Sequence, residues 1–241
     1  MIEKIEKDEW LTRIIEKNVY RLTIKNDNNT THSDELIRLL KLQKQEVFLY
    51  IKIPILQTSS IKFIEELGFH LIDTNVQFEK FVNTIGNYNG KCEIRFASPQ
   101  DEEETVEIGN SSFKFSRFHT DPQIPNNIAD KIKCEWVRNY YRGVRGNKMV
   151  VASVEGKIAG FLQLIYSKEK IIIDLIAVKD KYQRIGIAKD MILFTEKKCI
   201  GFSTIEVGTQ ISNTPSIRMY ESIGFKVKNA NYVYHFHNKI I

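Results

Sequence analysis

The stretch from Ile171 to Ala188 constrains the fold most, because it joins a strand to a glycine turn and a helix start. Residues 171–178 form a mainly apolar, β-branched run that predicts a buried strand. After a charged connector, residues 183–188 read Gln-Arg-Ile-Gly-Ile-Ala, which predicts a turn that opens a helix. A helix start leaves backbone N–H groups unpaired at its positive end, and Gly186 lets a ligand approach them closely. The sequence therefore predicts a phosphate site after this strand.

Several classes of protein are excluded by the same stretch and by the composition. No Gly-Lys-Ser/Thr follows Gly186, so the turn is not a P-loop, and the first glycine of a dinucleotide fingerprint is missing. Apolar residues make up 42% and charged residues 27%, which is typical of a soluble globular protein. The net charge of +5 is spread along the chain, which suits a small anionic ligand and argues against nucleic acid.

The cysteines and histidines predict no metal site. Cys92, Cys134 and Cys199 lie far apart, which is typical of reduced thiols in a cytosolic protein. His235 and His237 share one face of a predicted strand, but the sequence shows no third ligand near them. We find no apolar leader at the N-terminus and no run long enough to cross a bilayer, so we predict a cytoplasmic protein without membrane insertion.

The chain is predicted to divide into two units, residues 1–88 and 91–241. Gly86-Asn87-Tyr88-Asn89-Gly90 has the composition of a mobile linker. Residues 65–75 parallel residues 221–231, and each segment is predicted as a helix end, Gly-Phe, a strand, a turn and a second strand. Coincidence is the alternative, because Gly-Phe after a helix is common. If the repeat is real, the first unit is a shortened copy without the glycine turn and should not bind the same phosphate.

Tyr220 and Asp174 are the candidate catalytic residues. The phenol of Tyr220 is a weak acid that can supply a proton to a departing group such as a thiolate. Tyr220 could equally be a core aromatic residue, since Ile217 and Ile223 lie at helical spacing from it. Asp174 interrupts an apolar strand, so it could accept the amine proton or simply face solvent.

Arg117, His119 and Gln163 are the predicted substrate residues. Arg117 and His119 lie in a polar, aromatic stretch, residues 113–125. An arginine can hold a diphosphate through paired hydrogen bonds, and a histidine can position a sugar or take a proton. A surface loop with a scattered histidine is the alternative.

Residues 183–188, after a strand that ends in Ala-Val, resemble the acetyl-CoA loop of the GNAT N-acetyltransferase superfamily, with Ala188 in place of a second glycine. Residues 213–225 resemble the GNAT segment with Asn, a later Tyr and then Gly-Phe. The resemblance implies an α+β fold with a mixed sheet, acetyl-CoA as cosubstrate, Tyr220 as general acid and donors near Leu175 to Ala177 for the thioester oxygen. It implies the following residues for acetyl-CoA binding: Ile176, Ala177, Val178, Gln183, Arg184, Ile185, Gly186, Ile187, Ala188, Asn213 and Arg218.

Residues 113–118, the helix that carries residues 136–139 and residues 208–214 are similar to the GNAT branch that acetylates dTDP-4-amino-4,6-dideoxyhexoses. This resemblance implies an N-terminal partial GNAT-like domain, a homodimer, and direct transfer to a dTDP- or UDP-linked amino sugar without an acetyl-enzyme. Two alternatives remain: a GNAT enzyme for another amine, such as a protein N-terminus, a polyamine or an antibiotic, and a non-catalytic CoA-binding module.

Overall fold

The structure is a computed structural model that describes residues 2–24, 36, 40, 45–82, 90 and 92–238 of the 241-residue chain. Apart from Gly90, the predicted linker lies outside the described residues. The strands are β1 Ile2–Lys7, β2 Asn18–Ile24, β3 Val47–Pro54, β4 His70–Phe81, β5 Glu93–Phe96, β6 Lys148–Val154, β7 Lys157–Ser167, β8 Lys170–Val178, β9 Thr204–Gln210 and β10 Lys226–His237. The helices are α1 Glu9–Ile15, α2 Thr58–Glu66, α3 Glu102–Ser111, α4 Asn126–Tyr141, α5 Ile187–Lys198 and α6 Thr214–Ser222.

All ten strands belong to one mixed sheet, in the order β1-β2-β3-β10-β4-β9-β8-β7-β6-β5. This is the α+β architecture that the sequence predicts. The strand β4 belongs to the first predicted unit but lies between β10 and β9 of the second, and it pairs with both in antiparallel fashion. The strand β10, which belongs to the second unit, likewise pairs with β3 of the first unit. The two predicted units therefore exchange one strand each.

The internal repeat is present and is longer than the sequence comparison suggests. Its two copies are β3-α2-β4 and β9-α6-β10, and corresponding residues differ by 156: Thr58 corresponds to Thr214, and Asn75 corresponds to Asn231. Asn75 and Asn231 face each other in the β4–β10 ladder, so the two copies are related by a pseudo-twofold axis between them. Gly68 and Gly224, which end the two helices, have φ values of +87° and +92°. A left-handed residue at this position strongly favours glycine.

One detail of the predicted strands is wrong. The sequence analysis breaks each copy into two strands, with a turn at Asp73 in the first, but β4 and β10 are each continuous over 12 residues. A β-bulge takes the place of each turn, since Ile72 and Lys228 have no partner in the ladder. These two residues also differ by 156. The polar residues beside them line one face of the sheet instead of forming a loop.

The helices cover both faces of the sheet. Met191 and Ile192 of α5 pack with Tyr220 and Ile223 against one face, and Val106 and Val137 of α3 and α4 pack against the other. The first unit joins the second through α1, since Trp10 lies edge-on against Trp136 of α4 with 5.7 Å between ring centroids. Among the described helices, none combines the length and the apolar character that a bilayer crossing needs.

Candidate active site

The loop before α5 presents six consecutive backbone N–H groups that have no acceptor among the described residues. Gly186 caps α5 with φ +98°. No N–H group of residues 184–189 donates to a described residue, and the first helical bond runs from Asp190 N to Gly186 O at 3.0 Å. A Cβ at position 186 would meet no atom within 4 Å. The space before the helix is open and surrounded by donors, an arrangement that fits the pyrophosphate of CoA.

Side chains of this loop hold its shape rather than point into the open space. Gln183 donates from its amide nitrogen to Val178 O at 3.0 Å and to Asp180 Oδ1 at 2.9 Å. Ile187 is 2% exposed and belongs to the core under α5. Ile187 would therefore meet a ligand through its backbone N–H, whereas Gln183 shapes the turn, since its own N–H donates to Asp180 O at 3.2 Å.

A V-shaped opening separates β8 from β9 next to this loop. The two strands pair in parallel only up to Ile173 and Val207, while the rest of β8 stays paired with β7. The divergence begins at a β-bulge, because Asp174 has no partner on β7. Residues 176–178 therefore turn one backbone edge toward the opening, where the predicted thioester and pantetheine contacts would lie.

Tyr220 is placed on α6 with its ring in the core. The side chain is 2% exposed and contacts Phe225 and Phe78, with ring centroids 5.5 and 5.9 Å away. Its hydroxyl makes no hydrogen bond to a described residue, yet it is not among the polar atoms sealed from solvent. Burial raises the pKa of the Tyr220 phenol, so the group carries its proton at neutral pH. The ring is therefore part of the core, and the hydroxyl has no acceptor among the described residues; the role of Tyr220 as general acid stays a prediction.

Asn213 and Arg218 occupy the start and the surface of α6. Asn213 caps the helix by accepting from Ser216 N at 3.4 Å, and its amide nitrogen donates to Thr209 Oγ1 at 3.1 Å. Arg218 is exposed, and no described residue forms an ion pair with it. The guanidinium is therefore available for an anion, as the resemblance implies.

Asp174 is held by three side chains. Arg145 donates from Nη2 to Oδ1 at 2.6 Å and from Nε to Oδ2 at 2.7 Å. Oδ2 also accepts from Trp136 Nε1 at 2.8 Å and from Gln163 Nε2 at 3.0 Å. Oδ2 thus accepts three of the four bonds, and the Asp174 side chain is only 6% exposed. The contacts favour a positioning role for Asp174 over the predicted role as base.

Gln163 and His119 do not lie where the sequence analysis expects them. Gln163 is fully buried, so its side chain supports Asp174 instead of meeting a substrate. His119 uses both ring nitrogens: Nδ1 lies 2.6 Å from Ser116 Oγ, and Nε2 lies 2.9 Å from Asp130 Oδ1. These bonds fix the loop to α4, and His119 is not on the wall of the cavity described below.

Arg117 is placed as predicted, on the wall of a cavity, and its surroundings are unusual for a cation. The guanidinium stacks 4.0 Å above the Tyr50 ring and 4.3 Å above the Phe118 ring. Its Nη1 donates to His235 Nε2 at 3.0 Å, and no described carboxylate binds it. Burial lowers the pKa of His235 to about 4, so the ring is neutral and can accept this bond. Arg117 is oriented by rings and forms no ion pair with a described residue, although the Asp8 and Asp73 carboxyl groups act on its charge at longer range.

Asp121 forms a cluster with His235 and His237, and the sequence does not reveal this third member. Its Oδ2 lies 2.6 Å from His235 Nδ1 and 2.8 Å from His237 Nε2. Although burial opposes it, these hydrogen bonds hold the pKa of Asp121 well below its usual range. The cluster has the composition of a metal site, but its spacings are those of hydrogen bonds and Arg117 is its neighbour. We interpret it as a support for Arg117.

A cavity of about 1040 Å³ lies between the two predicted units, on the face of the sheet that α1 and α4 cover. Its walls carry a large excess of positive charge. The cationic side chains on the walls are Arg13, Arg21, Lys52, Arg117, Lys131, Arg142 and Arg145, against the acidic Asp8 and Glu135. Trp136 and Arg145 line the cavity and also bind Asp174, so two hydrogen-bonded side chains connect the cavity with the beginning of the V-shaped opening.

Sequence reasoning found the glycine turn and Tyr220 but missed most of the cavity. Lys52 and Arg145 lie in segments with no motif, and Trp136 looks like part of the apolar face of α4. The one available signal was the recurrence of basic and aromatic residues on both sides of Arg117, and it is too common to be diagnostic.

Comparisons with known proteins agree with this geometry. Residues 115–225 match the Acetyltransferase (GNAT) family. The chain is 25% identical over 232 residues to the spore coat polysaccharide biosynthesis protein SpsD of Bacillus subtilis, covering 94% of this chain and 80% of that protein. It is 22% identical over 183 residues to the dTDP-fucosamine acetyltransferase of Escherichia coli O6:H1, covering 75% and 78%. A GCN5-related N-acetyltransferase from Sphaerobacter thermophilus superposes with a TM-score of 0.63 at 15% identity, covering 93% of this chain and 74% of that chain.

Proposed function

Since residues 115–225 form an acetyltransferase domain of the GNAT family, we propose that the protein moves the acetyl group of acetyl-CoA to a nucleotide-linked amino sugar. The acceptor we propose is of the dTDP-4-amino-4,6-dideoxyhexose type, with dTDP or UDP as the nucleotide. The observation that carries the acceptor class is the cationic cavity, because two of its wall residues, Trp136 and Arg145, bind Asp174 at the start of the V-shaped opening. A sugar amine at that junction would lie beside the thioester while its diphosphate lies among the arginines.

The residues of the opening fit acetyl-CoA as cosubstrate. The free N–H groups of residues 184–189 would hold the pyrophosphate, and the exposed Arg218 would add a positive charge. The unpaired edge of residues 176–178 would hold the pantetheine arm and leave donors for the thioester oxygen. The amine nitrogen then bonds to the acetyl carbon, the carbon–sulfur bond breaks, and the Tyr220 hydroxyl gives its proton to the departing thiolate. The amine's own proton leaves to solvent or to a base that we do not assign.

The relatives support a role in surface polysaccharide synthesis. One is named for spore coat polysaccharide biosynthesis and the other for acetylating dTDP-fucosamine. We propose the same general role here, with direct transfer in a ternary complex. None of the cysteines belongs to the glycine turn or to α6, which fits a route without an acetyl-enzyme. A homodimer, a cytoplasmic location and a first unit that binds no CoA stay predictions.

The test of this proposal is thiol release from acetyl-CoA across a panel of amines. We expect release with dTDP- or UDP-linked amino sugars and little with polyamines, peptide N-termini or aminoglycosides. Turnover of one of those other amines in preference to every nucleotide-linked sugar would contradict the acceptor class. Tight CoA binding without turnover of any amine would favour a non-catalytic CoA-binding module.

A further inference from the structure

The first half of the sheet contains a second V-shaped opening that is the symmetry counterpart of the first. The strands β2 and β3 pair in parallel only up to Leu22 and Ile51, and then diverge. The strands β8 and β9 do the same after Ile173 and Val207. Ile51 and Val207 are corresponding residues of the internal repeat, since their numbers differ by 156. The two openings are therefore equivalent positions in two copies of one structural plan.

The second opening forms one end of the cationic cavity. Arg21 of β2 and Lys52 of β3 stand on its two sides, at the place where the strands part. Gln57, which precedes α2, also lines it and corresponds to Asn213 in the other copy. What occupies this opening must therefore suit a positively charged wall.

The positive charge at this opening exceeds the negative charge near it. Within the described part of the chain, neither Arg21 nor Lys52 forms an ion pair. Burial, together with the nearby guanidinium groups of Arg117 and Arg21, lowers the pKa of Lys52 to about 8. Of the acidic residues on the wall, Asp8 accepts from the Tyr50 hydroxyl at 2.8 Å and Glu135 binds Arg138 and Arg142. The Asp73 carboxyl attracts Lys52 and Arg117, but burial raises the pKa of Asp73 to about 6, so it offsets their charge only in part. Three cations from two strands and one loop thus lie near one another with no ion pair to a described residue, an excess of positive charge that a bound anion would offset.

The same cavity offers surfaces for an aromatic base and for a sugar. Trp10 and Trp136 both line it and meet edge-to-face at 5.7 Å. Because Lys133 and Arg145 lie over the Trp136 ring, at 4.8 and 4.9 Å from its centroid, Trp10 is the ring on which a base could stack. Trp136 also donates to Asp174 at the edge of the first opening. A ligand with a base, a diphosphate and a sugar could therefore lie across the sheet with its far end at the site of acetyl transfer.

We propose that the opening between β2 and β3 binds the nucleoside diphosphate of the acceptor, with Lys52 and Arg21 as its phosphate ligands beside Arg117. This inference rests on the proposed function and deepens it. The copy without the glycine turn thus has the same opening that binds CoA in the other copy, and it binds the acceptor there. CoA itself contains a nucleoside diphosphate, so the same chemistry could come from a second CoA molecule, and the test separates the two sources.

The test is calorimetric titration of dTDP, of UDP and of CoA into the full chain and three variants. We expect Lys52→Gln and Arg21→Gln each to weaken binding of the preferred nucleoside diphosphate about tenfold or more, because each removes a charge-assisted hydrogen bond. The matched control Lys62→Gln removes a lysine whose side chain is 81% exposed on α2 and should bind like the parent. CoA should bind once per chain in all four proteins. Lys52→Gln should melt no lower than the parent, since it removes a crowded cation.

Three results would overturn the proposal. The first is a parent protein that binds neither dTDP nor UDP, and the second is equal binding by the parent, Lys52→Gln and Arg21→Gln. The third is two CoA molecules per chain, with one lost in Lys52→Gln, which would assign the opening to CoA. A separate measurement isolates the proposed function: if the parent acetylates a nucleotide-linked amino sugar and the two variants keep its KM, the function stands and this inference fails.

Discussion

Tyr220→Phe is expected to lower kcat by about 10²–10⁴-fold, the usual contribution of a positioned general acid. The ring would keep its contacts with Phe78 and Phe225, so the fold should not change. The hydroxyl makes no hydrogen bond to a described residue, so its removal leaves no partner unsatisfied. We therefore expect the melting temperature and the affinity for CoA to match those of the parent. The measurement is steady-state thiol release at saturating substrates, paired with CoA calorimetry.

The matched control for this variant is Tyr234→Phe. Tyr234 is also buried, but its hydroxyl donates to Glu65 Oε1 at 2.7 Å in the first half of the chain. This control should lose some stability and keep its kcat. If Tyr220→Phe and the parent have the same kcat, Tyr220 is only a core residue, and the alternative interpretation from the sequence is correct.

Asp174→Asn is expected to destabilise the protein by about 2–3 kcal/mol, because hydrogen bonds to a charged group are worth that much and buried donors are left without partners. This value is below the roughly 3–5 kcal/mol that breaking a fully buried ion pair costs, because the Asp174 side chain is only 6% exposed but that of Arg145 is 43% exposed. For a chain of this size, the loss corresponds to a fall in melting temperature of about 4–12 °C. Thermal unfolding of the variant and the parent measures it.

The pH dependence of the variant separates a positioning role from a catalytic one. If Asp174 positions Arg145 and Trp136, the shape of the kcat/KM profile against pH stays that of the parent, and Arg145→Gln shows a similar loss of stability. If Asp174 is the general base, the variant instead loses the acidic limb of the profile and folds as stably as the parent. That second result would contradict the interpretation drawn from its four hydrogen bonds.

The sequence predicts those parts of the site that are formed by consecutive residues. Gly186 and the strand before it form a local unit, so the pattern alone places the helix start and its free N–H groups. The same holds for Tyr220, whose helix is bounded by Asn213 and Gly224. The repeat could be seen in the Gly-Phe pairs, because a helix that ends in a left-handed residue nearly requires glycine.

The cavity could not be predicted, because its walls combine α1, β2 and β3 of the first half with α4 and the Arg117 segment of the second. Arg117 meets His235 only because β10 lies beside β3, and 118 residues separate the two in the chain. The polar residues near Asp73 look like a turn in the sequence, whereas in the sheet they follow a bulge. Asp174 looks exposed or catalytic until Arg145 and Trp136 are placed beside it. In each case a long-range contact decided what the local pattern left open.

The central claim is that backbone amides at the start of α5 hold the pyrophosphate of acetyl-CoA, and calorimetric titration of CoA into Gly186→Val tests it most directly. A β-branched residue at φ +98° would strain and shift the loop. Gly201→Val is the matched control, because Gly201 has φ +91° and equally open space but lies in the turn after α5. We predict that both variants lose about 1–3 kcal/mol of stability and that only Gly186→Val loses CoA affinity, by about tenfold or more. Unchanged CoA binding by Gly186→Val, or equal weakening in both variants, would contradict the account.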